Sequence, residues 1–440
     1  MASSVAAVQG PWLQSGLRKA RWRLIPLLGI CYLVSYMDRA NISFAAETMN
    51  RDLHFTAKMY GLGAGLFFLP YALFEIPSNR LLLRFGARRW IARIMLTWGL
   101  LAACMIAVRT PWSFYGLRML LGLAEAGFFP GALFYLSQWF PVNERARAIS
   151  LFYMAYPLSN VVMGGLAGVL LKQNGRLGLV GWQWLFLLEA VPAVALSVVV
   201  WFGLPDSPAK AGWLTGDERE ALAEELASDP VHKLKTHGSA LRTALRSKHL
   251  WGVTMFQFLT LGTSYAVMFS LPLVLRGATG LSPGEVGGIV AVFGVLGAAG
   301  MVLGAMHSDR TGERKLHIVV PAVVLALCLL VAGGLGLAGW GAVAALAVAM
   351  VSYCSMQGPI LSVPSMVLSG EAAAVGIAVM NMFAILGGFV GPYWMGWMHD
   401  ATGGYAWGIG ALCVPCLLAA VIAWQMLKAG IREQGLGIVD

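Results

Sequence analysis

The sequence predicts an all-α membrane protein of twelve transmembrane helices, built as two six-helix bundles. Three observations lead there. The 440 residues are 58% hydrophobic and only 12% charged, with a mean hydropathy of +0.71, whereas a soluble domain carries about 25% charged residues. Twelve apolar stretches are long enough to cross roughly 30 Å of hydrocarbon. The two halves of the chain also repeat short motifs at a nearly constant offset.

Taken in order, residues 1–23 form a leader that ends in the basic cluster Arg18, Lys19, Arg21 and Arg23, without the shape of a cleavable signal. The predicted spans 1 to 6 follow at 24–46, 59–82, 90–108, 112–138, 147–171 and 181–204. Spans 7 to 12 are expected at 249–275, 285–307, 316–337, 340–366, 372–396 and 404–428. The division is thus a leader, a first bundle at 24–204, a linker at 205–248, a second bundle at 249–428 and a tail at 429–440. In the linker, "TGDEREALAEEL" opens with a capping pattern and keeps helical periodicity, so a short surface helix is expected there.

An even number of spans puts both termini on one side. Of the 31 basic residues, 23 fall in segments on that side, six on the opposite side, and two, Arg39 and Arg118, within spans. An excess of Lys and Arg marks cytoplasmic segments, so both termini are expected to be cytoplasmic, in a plasma (inner) membrane. This distribution accounts for the net charge of +10 without nucleic acid as a partner. The lipid bilayer is the partner instead.

The six cysteines all lie in apolar runs and give no disulfide framework. Cys413 and Cys416 form a C-x-x-C inside "ALCVPCLLAA", where helix packing explains them better than metal or redox use. The seven histidines show no ligand spacing, so neither metal nor cofactor is expected. No H-E-x-x-H and no Ser/His/Asp set falls at mid-membrane, which argues against an enzyme.

The repeats give the internal organisation. Leu83-Arg84-Phe85-Gly86-Ala87-Arg88-Arg89 after span 2 is answered by Asp309-Arg310-Thr311-Gly312-Glu313-Arg314-Lys315 after span 8, 226 residues on. "GGLAG" at 164–168 in span 5 is matched by "GGFVG" at 387–391 in span 11. Transporters built from two similar bundles show repeats at this scale, with the substrate site between them near the midplane.

The repeated loop, the twelve spans and the central linker resemble the major facilitator superfamily. More narrowly, "YMDRANISFA", "GARRWIARIMLTWG", "LLGLAEAGFFPGALFYLSQWFP", "GWQWLFLLEAVPA" and "LSGEAAAVGIAVMNMFAILGGFVGPYWMGWMHDATG" resemble its anion:cation symporter family of tartrate, sugar-acid, phthalate and 4-hydroxyphenylacetate permeases. The match covers nearly the whole membrane part, in order and at the right spacing. It implies import of a small organic carboxylate together with H+ by alternating access. Two departures stand out. Leu83 occupies a position where the superfamily pattern carries an acid, so a gating acid is expected only at Asp309. Span 11 lacks the second Asn of related permeases and is more apolar, which tilts the substrate toward a compact or aromatic acid.

Four charges fall at mid-membrane, all in the first half: Asp38, Arg39, Arg118 and Glu125. Such charges are expensive in lipid and mark function or pairing. Neighbours in a helix are about 100° apart, so Asp38 and Arg39 cannot pair face to face. A carboxyl group in a partly dry cavity can load a proton near neutral pH, and an arginine offers a forked donor suited to a carboxylate. The resemblance implies that Asp38 and Glu125 carry protons and that Arg39 binds the substrate. Arg118 reads as a structural counter-ion for Asp38. By position, Tyr156 and Asn381 match places where the family contacts substrate, and Tyr36, Tyr265 and Gln257 are further candidates. Gating is expected at the two loops (Arg84, Gly86, Arg88; Asp309, Arg310, Gly312) and at helix-end ties between Glu144, Arg145 and Glu371. Glu75 and Glu189 read as structural acids, and Pro130, Pro359 and Pro364 as helix bends. A monomer is the default. Two alternatives stay open: an anion exchanger or facilitator without net proton coupling, and a membrane anion sensor on the same fold.

Overall fold

The computed structural model describes residues 2–228, 242, 245–336, 338–367 and 370–433. Among these residues every regular element is a helix. Eleven helices are long and apolar enough to cross a membrane: Ala57–Phe85, Ala87–Ala107, Pro111–Ser137, Asn143–Leu171, Gly181–Gly203, Lys248–Thr279, Pro283–Thr311, Leu316–Gly334, Gly339–Leu361, Gly376–Thr402 and Ala406–Leu427. These correspond to spans 2 to 12. Span 1 is the middle of the long helix Ala2–Leu53, where Asp38, Arg39 and Asn41 dilute an otherwise apolar run. Large apolar side chains such as Leu73, Val169 and Phe202 remain exposed around the outside, a belt too extensive for a soluble protein.

The leader differs from expectation by continuing span 1 as one helix. The reason is packing: Leu17, Ala20 and Leu24 are buried at one-turn spacing. Another face of the same helix, at Ser15, Gly16 and Lys19, meets the expected linker helix, observed at Gly216–Ser228. Thr215 and Glu218 form its capping box, with Glu218 N–H donating to Thr215 Oγ1 at 3.3 Å and Thr215 N–H to Glu218 Oε2 at 2.9 Å. Glu218 also accepts from Ser15 Oγ at 2.7 Å and Lys19 Nζ at 2.8 Å. Burial pushes its carboxyl up, but the bonds from Lys19, Thr215 and Ser15 outweigh this and hold it down at about 2. Trp213, just before the helix, stacks on Trp139 at 5.5 Å.

Several spans are broken; span 11 is interrupted at Ile385–Leu386 with no proline close behind, and proline explains four other breaks. Span 2 is interrupted at Phe67, span 4 at Ala126–Gly127, span 5 at Met154 and span 12 at Leu412. Each of these lies three or four residues before a proline: Pro70, Pro130, Pro157 and Pro415. A proline ring clashes with the carbonyl four residues back and removes the hydrogen bond that would bridge to it. At span 4 the break is completed by Gly127 at φ +86°. Span 10 runs as one helix, Gly339–Val367, through Pro359 and Pro364.

The chain has a terminus face, where the ends and the linker lie, and a distal face opposite. Toward the distal face the two halves meet along two seams. Spans 5 and 8 cross with Gly164 against Gly287, and spans 2 and 11 with Gly61 against Pro392. A Cβ at either glycine would overlap the facing backbone carbonyl. Small residues let helix backbones approach this closely. Polar ties reinforce the closure: Glu47 pairs with Arg276, Lys58 N–H donates to Asp400 at 3.1 Å, and the Tyr60 hydroxyl to the Phe269 carbonyl at 2.9 Å.

Candidate functional site

The centre of the molecule is built around Arg39. Its Nε and Nη2 donate to Glu125 Oε1 at 3.0 and 2.6 Å, and its Nη1 to the Tyr265 hydroxyl of span 7 at 3.1 Å. Ser35, one turn earlier in span 1, donates to the same Glu125 oxygen at 2.5 Å. The guanidinium also lies 5.1, 5.3 and 5.0 Å from the ring centres of Tyr36, Phe67 and Tyr71, within cation–π range. Arg39 and Glu125 are 3% and 0% exposed, so this is a fully desolvated ion pair. Glu125 ends the first half-helix of span 4, and its Oε2 has no partner among the described residues. Broken helices at a polar centre are how membrane carriers expose backbone and side chains to a substrate.

Arg118 takes a different partner from the one expected. It donates to the carbonyls of Gly63 and Ala64 at 3.4 and 3.2 Å and lies 4.9 Å from the Phe67 ring. No direct ion pair to Asp38 forms among the described residues, although the two charges interact at longer range. Arg118 therefore braces the interrupted turn of span 2. Asp38 accepts from Asn41 at 3.4 Å and leaves its Oδ2 without a partner. At 100° per residue it lies about 160° round the helix from Ala40, and Ala40, Ser43 and Phe44 line the cavity. Asp38 thus points into the first bundle, away from the space between the halves.

That cavity lies in the distal half, walled by Ser43, Tyr156, Asn160, Thr263, Ser264 and Tyr353 among mostly apolar side chains. Tyr36 bridges it to Arg39, its ring meeting that of Tyr156 at 4.7 Å. The structure therefore brings Arg39, Glu125, Tyr36, Tyr156 and Tyr265 together. Gln257 is buried on span 7, two turns from Ser264, and does not line the cavity. Asn381 is drawn elsewhere: its Nδ2 donates to both oxygens of Glu75 at 2.7 and 2.9 Å. Glu75, read from sequence as structural, thus ties the halves together on their terminus-facing side.

The loop residues behave unequally. Asp309 pairs with Arg314 at 2.7 Å inside its own loop, which turns at Gly312 with φ +67°, while Arg310 is exposed. In the first-half loop, Gly86 adopts φ +86° and Arg84 lies over Phe85. An acid from span 6's end meets this loop: Asp206 accepts from the Arg88 backbone N–H at 3.2 Å. Glu144 pairs with Arg21 of its own half at 2.6 Å, and Arg145 donates to the Phe140 and Ser137 carbonyls. The side chain of Glu371 lies outside the described residues. Sequence reasoning assigned no role to Ser35, Asp206, Glu47 or Arg276; only Ser35, one turn from Arg39, carried a usable signal.

Two helical bundles around a charged, aromatic-lined centre define a multi-pass membrane transporter of small molecules rather than an enzyme. Residues 28–392 match the Major Facilitator Superfamily, and the chain belongs to it. It is 43% identical over 423 residues to an Agrobacterium vitis protein named as a tartrate transporter, covering 94% of this chain and 92% of that one. It is 39% identical over 415 residues to the metabolite transport protein NicT of Pseudomonas putida, covering 93% and 95%. These relatives are consistent with the anion:cation symporter branch. Among solved structures, a bacterial homologue of the lysosomal transporter Spinster, inward-facing, superposes with TM-score 0.79 at 16% identity over 94% of this chain and 98% of that one. The D-xylose–proton symporter gives 0.71 at 16% identity, over 92% and 97%. The protein is a secondary transporter.

Proposed function

We propose that this transporter imports a small organic carboxylate with H+, moving it from the distal face to a cytoplasmic terminus face of the inner membrane. The observation that carries the reading is the buried Arg39–Glu125 pair. Glu125 Oε1 takes three donors, so it neutralises Arg39 in the absence of an anion. A proton on Glu125 removes that neutralisation, and a desolvated guanidinium then demands another carboxylate. Anion and proton loading are linked by this exchange: each favours the other. Loss of the proton to the cytoplasm restores the internal pair and displaces the anion. Tyr36 and Tyr156 form the aromatic path from cavity to Arg39. The relatives' names make tartrate the first compound to try.

The test is external pH on adding tartrate, phthalate or a sugar acid to energy-depleted cells that express the protein, with Glu125→Gln and Arg39→Ala for comparison. Alkalinisation with one compound, absent in both variants, supports the scheme. Uptake of that compound without proton movement refutes it and leaves an exchanger.

A further inference from the structure

Glu189 stands apart from every contact described so far. It lies in span 6, is 4% exposed, and neither carboxyl oxygen has a hydrogen-bond partner among the described residues. Asp38 and Asn41 of span 1 are the polar groups it faces. Asn41 donates to Asp38 Oδ1 at the long distance of 3.4 Å, while its own Oδ1 and Asp38 Oδ2 are also without partners. Four buried oxygens on three side chains are therefore unsatisfied in one small region. Ionised carboxylates and an amide oxygen are all acceptors, and acceptors cannot satisfy one another. The Trp98 indole N–H of span 3, itself buried without a hydrogen-bond partner, faces Asp38, but one donor cannot serve four acceptor oxygens, and a bound proton turns a carboxyl into a further donor. The charges nearest Asp38 from span 4 are Arg118 and Glu125. Arg118 is committed to span 2 carbonyls and Glu125 to Arg39, so no cation is paired with Glu189 among the described residues.

The cluster also lies off the substrate route. Span 6 contributes nothing to the cavity wall, and Asp38 faces away from it. We infer that Asp38, Asn41 and Glu189 form a proton-binding triad inside the first bundle, in which Glu189 is a further proton-exchanging carboxyl that serves Asp38. In the transfer step the O–H bond of the Glu189 acid breaks and an O–H bond forms on the bare Asp38 oxygen. Glu189 is left ionised and Asp38 neutral, while Asn41 holds both by hydrogen bonds and keeps its own hydrogens. Protons thereby reach Asp38 without crossing the substrate cavity. This rests on the symport reading for its use in transport, though not for the existence of the site.

The experiment is infrared difference spectroscopy on the full-length protein in liposomes, stepped between acidic and alkaline buffer without substrate. Wild type, Glu189→Gln, Glu189→Asp and Asp38→Asn are compared. Glu189→Gln is expected to lose one carboxylic acid C=O band that titrates in the wild type, and to shift the pH at which the Asp38 band disappears. Glu189→Asp is expected to restore an acid band at a new position, which a role in packing alone would not produce. Identical spectra for wild type and Glu189→Gln overturn the proposal. The same proteoliposomes are then given tartrate. Titrating bands with proton-free tartrate uptake would sink the symport reading and leave the triad standing, so the two failures are distinguishable.

Discussion

Gly164→Ala tests whether the distal seams are a gate. The methyl group would meet the Gly287 carbonyl of span 8, a backbone atom that cannot rotate aside. Spans 5 and 8 must therefore part, and overpacking of this kind costs about 1–3 kcal/mol. The cost applies only to the state in which the distal face is closed, so the population shifts toward the open one by about 5- to 150-fold. Gly287→Ala produces the same clash from the other side. The double variant should add little, because contacting sites that share one displacement are not additive. Gly165→Ala is the internal control, since nothing lies within 4 Å of a Cβ there. The assay places a thiol in the cavity by Met268→Cys, with the exposed Cys104 replaced by Ser. A membrane-impermeant maleimide is applied from the distal side. Labelling should accelerate by the stated factor in Gly164→Ala and stay at the parent rate in Gly165→Ala. Equal rates in all three, with folded protein and normal uptake, would show that these seams do not close the cavity.

Arg39→Lys keeps the charge but cannot serve Glu125 and Tyr265 at once or lie flat against three rings, so its KM for the transported substrate should rise at least about tenfold in direct uptake assays. Asn381→Ala leaves the buried Glu75 without its two bonds; it should destabilise the terminus-side closure by about 1–3 kcal/mol, read as faster labelling of Met268→Cys from the terminus side. Exchanging the charges of Glu47 and Arg276 should restore transport lost on reversing either alone, each single effect being modest because the pair is partly exposed. For Glu218, a carboxyl held at about 2 against the ordinary 4.5 contributes stability that is complete above 4.5 and is lost as the pH falls toward 2. Glu218→Gln should therefore melt below wild type at neutral pH, and the gap should narrow in acid.

The fold was legible because the bilayer imposes it. Twelve apolar lengths, basic loops and a motif repeat read directly from composition and spacing. The broken helices at Pro70, Pro130, Pro157 and Pro415 were equally available, though only Pro130 was read that way. The site was legible in part. Arg39, Glu125, Tyr36 and Tyr156 advertise themselves as costly or amphipathic groups in lipid. The partner of each was not: Arg39 pairs with Glu125, while Arg118 is claimed by carbonyls near the break of span 2 and Asp38, turned into the first bundle, makes no direct ion pair among the described residues. Asn381 and Glu75 sit 306 residues apart, and Asp206 meets Arg88 from the end of another span, pairings that no local spacing encodes.

Arg39 and Tyr265 are separated by 226 residues, the same offset that relates the two halves' loops. Residues equivalent under the repeat can touch only where the pseudo-twofold axis passes between them, and this bond lies on that axis between the distal seams and the terminus-side Glu75–Asn381 tie, at the height where a rocking motion would pivot. When one bundle rocks against the other, displacement grows with distance from the pivot. Glu47 and Arg276 at the rim must separate in every cycle, while a bond at the fulcrum can persist through both orientations. Arg39 is then held at the point of least travel, where it can present the same fork to either side of the membrane without having to follow the gates.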